Sequence, residues 1–548
     1  MDKIRIVVSY SSGHTEEFLS SEALTKLEMR PKENESWLKA EIQVPLIDTF
    51  TCWHSSLLPG WARKMLWREE YPCGAQKNYP FYAVLSREGA VRAALECTNL
   101  IDDSKINFAM DQERCTAHLS LLVTLTKETL PFSIILDRRG TSLMEALETW
   151  RECLALPKVN YPETAYEPVF CTWYVTHGEV DQAFVERTCP LARELGFSTL
   201  IVDDGWCYDE YKRVNPDTVP TWYESVGDWD ISKVKFPDFK AHVKRMQSLG
   251  INYMLWVAPH LLGKKSAMYQ KYKEQSFSNY ADSEGYYMLD MTKADCTPLV
   301  EKLRKLARDN GLDGLKIDFL DIVVPSTDNP NARKTEAFIA SITDGLKQDN
   351  PNALIEFRQS YATPLMLKYG TQFRAGDAPF DWRLNFGRLV EIRLNIGNLG
   401  PVHADPAYWA KSELPHNIAR HMMAMLVGVP MLSMELSTLS DVEKRLISHY
   451  VGFYRQHKDL INHGKWSVLF NQTEIAAAIV EDQQERMLIL SDGYCLDEAL
   501  GNCKKQTWLM NISDKCLAVK NATNVLNGEC LPAPDGCIPL GGSALVIG

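Results

Sequence analysis

The run GLKIDFL, residues 314–320, ends in an acid, Asp318, two positions after Lys316 on the same face of a strand. Comparable clusters close other apolar runs. Asp203 and Asp204 are followed by Gly205 and Trp206; Arg358 and Gln359 end another run; Arg374 precedes Asp377 and Asp381, with Trp382 just beyond. His403 and Asp405 end one more run, and Trp173 and Trp256 fall near the ends of two others. Singly, each has an ordinary explanation. Adjacent aspartates cap helices or turns, a lysine and an aspartate two apart form buried ion pairs, and tryptophans fill cores. Collected at one place, carboxylates and aromatic faces suit chemistry at a sugar's anomeric carbon. A glycosidic bond breaks through an oxocarbenium-like state, which one carboxylate attacks while a second carboxyl protonates the departing oxygen. Paired carboxylates also accept sugar hydroxyls two at a time. On this reading Lys316 keeps Asp318 ionised, as a nucleophile requires.

Such clusters need a scaffold that brings strand ends together. From about residue 167 the pattern is strand, loop, helix, repeated. The candidate strands are PVFCTWYV, FSTLIVDD, NYMLWVAP, GLKIDFL, ALIEFRQS, TQFRAGD, GPVHADP and PMLSMEL. Between them lie helical patterns such as VDQAFVERTCPLARELG, FKAHVKRMQSLG, CTPLVEKLRKLARDNG and RKTEAFIASITDGLKQ, several ending in glycine. Eight alternations predict an α/β fold, a (β/α)8 TIM barrel, whose active site lies at the C-terminal strand ends where the clusters fall. No glycine-rich turn follows the first strand, which disfavours a dinucleotide-binding sheet. Residues 1–165 read as an N-terminal antiparallel β-sandwich built from IRIVVSY, KAEIQVPL, FYAVLSR, VRAALEC, INFAMD, AHLSLLVTLT and FSIILDR. The barrel is expected over 166–464. Residues 465–548 return to strands, KWSVLF, EIAAAIV, ERMLILS, KQTWLM, LAVK and SALVIG, and predict a small C-terminal β domain.

The chain of 548 residues carries a net charge of −12, which argues against nucleic acid or an anionic membrane as partner. The N-terminus has neither an apolar h-region nor a small-residue cleavage site, and no apolar run of about 18 residues occurs, so a cytoplasmic location is expected. There is no H-E-x-x-H or other ligand spacing, and no G-x-S-x-G, so neither a metal, another cofactor nor a serine nucleophile is expected. Fourteen cysteines occur without a C-x-x-C pair, five of them (Cys495, Cys503, Cys516, Cys530, Cys537) near the end; small buried thiols are expected rather than a zinc site. The expected partner is a small-molecule carbohydrate, and a chain of this size is compatible with a symmetric homo-oligomer.

LIVDDGW, then VGDWDISKVKFPDFKAHVKRMQSLGINYMLWVAP, then GLKIDF resemble the melibiase-type α-galactosidases of glycoside hydrolase clan D, nearest to family 36. The stretch from NIARHMMAMLVGVPMLSMEL to GKWSVLF is similar to that family's eighth strand and following helices. The resemblance implies a retaining α-galactosidase with Asp318 as nucleophile and Lys316 as the neighbouring sugar-binding lysine. It implies that Asp203 and Asp204 hold the outer hydroxyls, and that Trp173, Trp206 and Trp256 belong to the sugar site. RAGDAPFDW is similar to the acid/base segment, with arginine a few residues before the acid and tryptophan five after; this implies Asp377, rather than Asp381, as acid/base and Arg374 as its neighbour. Two places depart from the family. Val257, Ala258, Pro259 and His260 replace a motif with glutamate before the proline. Glu356 to Ser360 replace a loop that carries cysteine and glycines beside the sugar's second hydroxyl, so Arg358 is expected either to pair with Glu356 or to face a different substituent.

Overall fold

The computed structural model describes residues 3–55, 67–211, 223–277, 285–472, 474–502, 504–534 and 536–547. Its centre is an eight-stranded parallel sheet, strictly ordered except for closure. The strands are β1 (Val169–Cys171), β2 (Thr199–Val202), β3 (Asn252–Val257), β4 (Gly314–Ile317), β5 (Leu354–Arg358), β6 (Gln372–Arg374), β7 (Val402–His403) and β8 (Met431–Leu432). β8 pairs with β1, and β7 meets the approach to β8 through a bridge between His403 and Val429, so the sheet curls into a barrel. All eight strands fall inside the predicted runs. They are short and buried almost throughout, as parallel strands covered on both faces must be.

Helices α1 (Gln182–Glu194), α2 (Phe239–Ser248), α3 (Thr297–Asn310), α4 (Ala332–Asp349), α5 (Trp382–Ile396), α6 (Pro415–Ala424) and α7 (Asp441–Gln456) surround the barrel. Gly311 closes α3 in the left-handed conformation (φ 67°). After β5 there is only a 3-10 turn, Pro364–Lys368. α5 and α6 were not among the helical patterns read from the sequence. Both are buried on most sides; α5 buries even Asn385, Glu391, Arg393 and Asn395, so it shows little amphipathic periodicity.

The N-terminal strands form two antiparallel sheets of six and five strands with a shared apolar core. Strands at Thr15–Ser20, Leu24–Met29, Thr51–Trp53 and Arg68–Cys73 join the seven predicted ones. This sandwich grips the loop that follows β4. Asp103 accepts the backbone N–H groups of Ser326, Asn331 and Ala332, and Gln76 Nε2 donates to Val323 O at 2.9 Å and Asn331 Oδ1 at 2.6 Å. The C-terminal residues form a six-stranded sheet. LAVK is not one of its strands: Leu517 makes an isolated bridge to Ile538, while Ala522–Leu526 supplies the edge strand. Two of the cysteines expected as thiols, Cys516 and Cys537, are joined in a disulfide across this turn; Cys503 lies outside the described residues. Asp514 pairs with Arg383 at the start of α5 and with Arg420 within α6, tying the sheet to both helices. Among the described residues no helix is long and apolar enough to cross a membrane.

Candidate active site

A cavity of about 590 Å³ opens at the C-terminal ends of the barrel strands. Trp173, Asp203, Asp204, Trp256, Lys316, Asp318, Arg358 and Asp377 all line it, so eight of the ten expected site residues converge there. Arg374 and Trp206 instead lie behind the wall. Trp206 is fully buried and donates its indole N–H to Trp256 O at 2.8 Å, which fixes the backbone below Trp256.

Local sequence explains the convergence. Gly314 allows β4 to approach β5, because a Cβ there would strike the carbonyl of Leu354. That approach sets the register Lys316↔Glu356 and brings the ends of β4 and β5 side by side. Asp318 still donates its backbone N–H to Val257 O at 2.8 Å, so the carboxylate leaves the barrel at its rim. Phe319 then turns into the left-handed region (φ 60°), a conformation that costs of order 1–3 kcal/mol for a residue with a Cβ. The turn places the Phe319 N–H 2.8 Å from Asp318 Oδ1 and the phenyl ring in the cavity wall.

Asp318 is held from several sides. Trp256 Nε1 donates to its Oδ2 at 2.9 Å, and Arg358 Nε stands 3.0 Å from its Oδ1. Burial pushes its pKa up, but Arg358, then Lys316 and Arg374, outweigh burial and hold the carboxyl below its usual value. Lys316 thus contributes to keeping Asp318 ionised, but it is not the nearest cation to it. The ammonium of Lys316 pairs with Asp203 Oδ2 at 2.6 Å, both side chains being nearly inaccessible, and the nearer cation to Asp318 is Arg358.

Of its two expected roles, Arg358 does not take the pairing with Glu356, and it lines the cavity. Glu356 faces Arg374 Nε at 3.3 Å, while the guanidinium of Arg358 bridges Asp318 and Asp377, with NH1 at 3.3 Å from Asp377 Oδ2. It also lies over the Phe319 ring, 4.7 Å from the centroid. The two carboxyls are thus within reach of one guanidinium. Asp377 opens to the cavity with its side chain 49% exposed. Behind it Arg374 donates to its Oδ1 at 3.2 Å and is anchored in turn by Asp405. Burial pushes Asp377 up, but Arg374, Arg358 and Lys316 together hold it well below the carboxylate range.

The two candidate acids of RAGDAPFDW have different surroundings. Asp381 is the N-cap of α5, its Oδ1 accepting the N–H groups of Arg383 at 2.9 Å and Leu384 at 3.0 Å, and it does not line the cavity. Asp203 accepts the Asp204 N–H on Oδ1 at 2.9 Å. Asp204 is buried, with the Tyr208 hydroxyl and the Gly205 N–H beside its carboxyl. Burial, with Asp203's charge adding, pushes it up to about 8. A buried carboxyl that lines a cavity is a ready acceptor or donor for ligand hydroxyls. His403 has the ordinary role weighed for it, its Nε2–H donating to Ala165 O at 2.7 Å inside the barrel wall.

The sequence reading missed much of the aromatic lining. Tyr174, Tyr223, Tyr286, Phe319, Phe380 and Tyr408 complete the cavity with His177 and Pro379. Tyr174 adjoins Trp173 and Phe319 adjoins Asp318, so both were legible as neighbours of selected residues. Tyr223 and Tyr286 come from long connections outside the barrel strands, Tyr286 opening a short strand, Tyr286–Leu289, that was not among the predicted runs.

A family model described as Melibiase matches residues 154–464, more than half of the chain. Alpha-galactosidase AgaA of Geobacillus stearothermophilus is 22% identical over 330 residues, 55% of this chain and 42% of that protein. Alpha-galactosidase 1 of Pediococcus pentosaceus is 22% identical over 345 residues, 58% of this chain and 45% of that protein. In these alignments the chain spans less than half the length of the curated relatives it matches. The crystal structure of the GH36 α-galactosidase AgaA superposes over 99% of this chain and 89% of its own, with TM-score 0.66 and 15% identity, which identifies a shared fold. On the family match and the shared barrel, the chain belongs to the melibiase family.

Proposed function

We propose that this protein is a retaining α-galactosidase acting on short oligosaccharides. The supporting observation is the pair Asp318 and Asp377, which face one cavity and are bridged by one guanidinium. In the first step Asp318 Oδ attacks the anomeric carbon, the C1–O bond to the aglycone breaks, and Asp377 gives its proton to the departing oxygen. In the second, Asp377 takes a proton from water, the hydroxide adds at C1, and the ester to Asp318 breaks with the original configuration restored. Asp203, Asp204 and Lys316 take the outer hydroxyls, and Trp173 and Trp256 cover the apolar face of the ring. Substituted variants of AgaA have been crystallised with raffinose and with stachyose, and sugars of that kind are the proposed substrates here. On this reading the chemistry belongs to residues 166–464, with 1–165 and 465–548 as flanking supports.

A panel of nitrophenyl glycosides tests the assignment: turnover of the α-galactoside, with retention seen by NMR, is expected. A second reading keeps the mechanism and changes the sugar or the acceptor, because Arg358 stands where the resemblance places cysteine and glycines beside the second hydroxyl. Turnover of an α-N-acetylgalactosaminide in preference to the galactoside would favour it.

A further inference from the structure

In a double displacement the two carboxyls must be in opposite states at the moment of attack, Asp318 anionic and Asp377 carrying a proton. The structure opposes half of that requirement. Arg358 holds Nε at 3.0 Å from Asp318 and NH1 at 3.3 Å from Asp377, and a cation bonded to both favours the anion of both.

Other groups face Asp377 as well. Arg374 lies on its own segment, Lys316 acts from β4, and Arg388 of α5 donates to its backbone carbonyl. Asp405, beyond β7, and Asp318 add negative charge, and the hydroxyls of Tyr174 and Tyr223 feel the Asp377 charge. These cations are largely committed elsewhere. Arg374 is shared with Asp405 and Glu356, and Lys316 with Asp203. Among the described residues, the ion pairs of Arg358 go to Asp318 and Asp377 alone.

We propose that Arg358 is a positioning residue that keeps Asp377 anionic in the free protein and thereby slows turnover of glycosides with basic leaving groups relative to activated ones. The proposal rests on the assignment of Asp318 and Asp377 made above. With a dinitrophenyl aglycone, the C1–O bond breaks as the Asp318 ester forms, and the electron pair leaves on a stable phenolate that needs no proton from the protein. With a methyl or sugar aglycone the oxygen must receive the Asp377 proton as the bond breaks.

Two measurements test this. In the unaltered protein, kcat/KM for a series of aryl and alkyl α-galactosides is expected to fall steeply as the leaving group becomes more basic; a flat series overturns the proposal. In R358Q the alkaline limb of kcat/KM for methyl α-galactoside is expected to move up by about 1–2 pH units, and the dinitrophenyl-to-methyl rate ratio at pH 7 to shrink about tenfold or more. R358K keeps the charge but cannot reach both carboxyls, and a smaller displacement is expected. An unmoved limb in R358Q, with circular dichroism and Asp318 labelling by a fluorinated galactoside intact, overturns the proposal while leaving the catalytic assignment standing. Absence of Asp318 labelling in the unaltered protein overturns the assignment itself.

Discussion

Lys316 and Asp203 form the most enclosed charged pair of the cavity, and replacing Lys316 by methionine is the sharpest perturbation of it. The ammonium lies 2.6 Å from Asp203 Oδ2, with the side chains 6% and 4% exposed. The strong attraction holds the Lys316 pKa well above its ordinary value despite burial, so the ammonium stays charged through the neutral range. The Coulomb energy of such a contact is not its net worth, because both ions have lost their water. Removing one partner, however, leaves the other charge buried and uncompensated, which costs about 3–5 kcal/mol. Asp203 would be left beside Asp204, a second buried carboxyl, which supplies no compensating positive charge. For a unit of a few hundred residues this loss corresponds to a fall in Tm of roughly 5 °C or more. Adding Asp203→Asn in the same background removes the orphaned charge while keeping the shape, so K316M/D203N is expected to be more stable than K316M. The coupling between the two positions should be about 2 kcal/mol or more. Denaturant unfolding and calorimetry of the four proteins measure it. A K316M protein within about 1 kcal/mol of the parent, or a double variant less stable than K316M, would refute the reasoning.

Four further outcomes follow. Asp204 is raised to about 8 from an unfolded value near 4; the folded state therefore binds this proton more tightly, and its contribution to stability falls as pH rises from about 4 to about 8. D204N should flatten that part of a Tm-versus-pH curve, leaving the same-signed parts from Asp405, raised to about 6, and Glu356, raised to about 7. D381A removes a helix cap worth about 1 kcal/mol and should lower Tm while leaving kcat within a few-fold, whereas D377A should lower kcat on raffinose by about 10²–10⁴ and respond to added azide. Trp256→Phe deletes the indole N–H that bonds Asp318 and should cost about tenfold in kcat, read by steady-state kinetics.

Sequence periodicity carries the barrel well, because a buried parallel strand is a short apolar run and several here run into a polar residue at the rim. Asp318, Asp203, Asp204 and Trp256 were legible for that reason. α5 was not, since a helix buried on nearly all sides, with Glu391 and Arg393 inside, has no polar stripe to give it a period. Pairing was the least legible property. Lys316 and Asp318 share a strand face, yet Lys316 reaches across the barrel to Asp203, and Arg358 turns from Glu356 toward two carboxylates on neighbouring strands. Alternation along a strand fixes which face a charge occupies; the barrel's curvature decides which of several counter-charges it meets. Tyr223 and Tyr286 came from connections whose course no local pattern encodes.

The central claim is that Asp318 forms a covalent bond to the sugar, and trapping with a fluorinated, activated α-galactoside followed by peptide mapping tests it most directly. The account predicts one sugar per chain, attached to Asp318, with loss of activity that tracks labelling. Label on a peptide without Asp318, or inactivation with no covalent sugar, would contradict it.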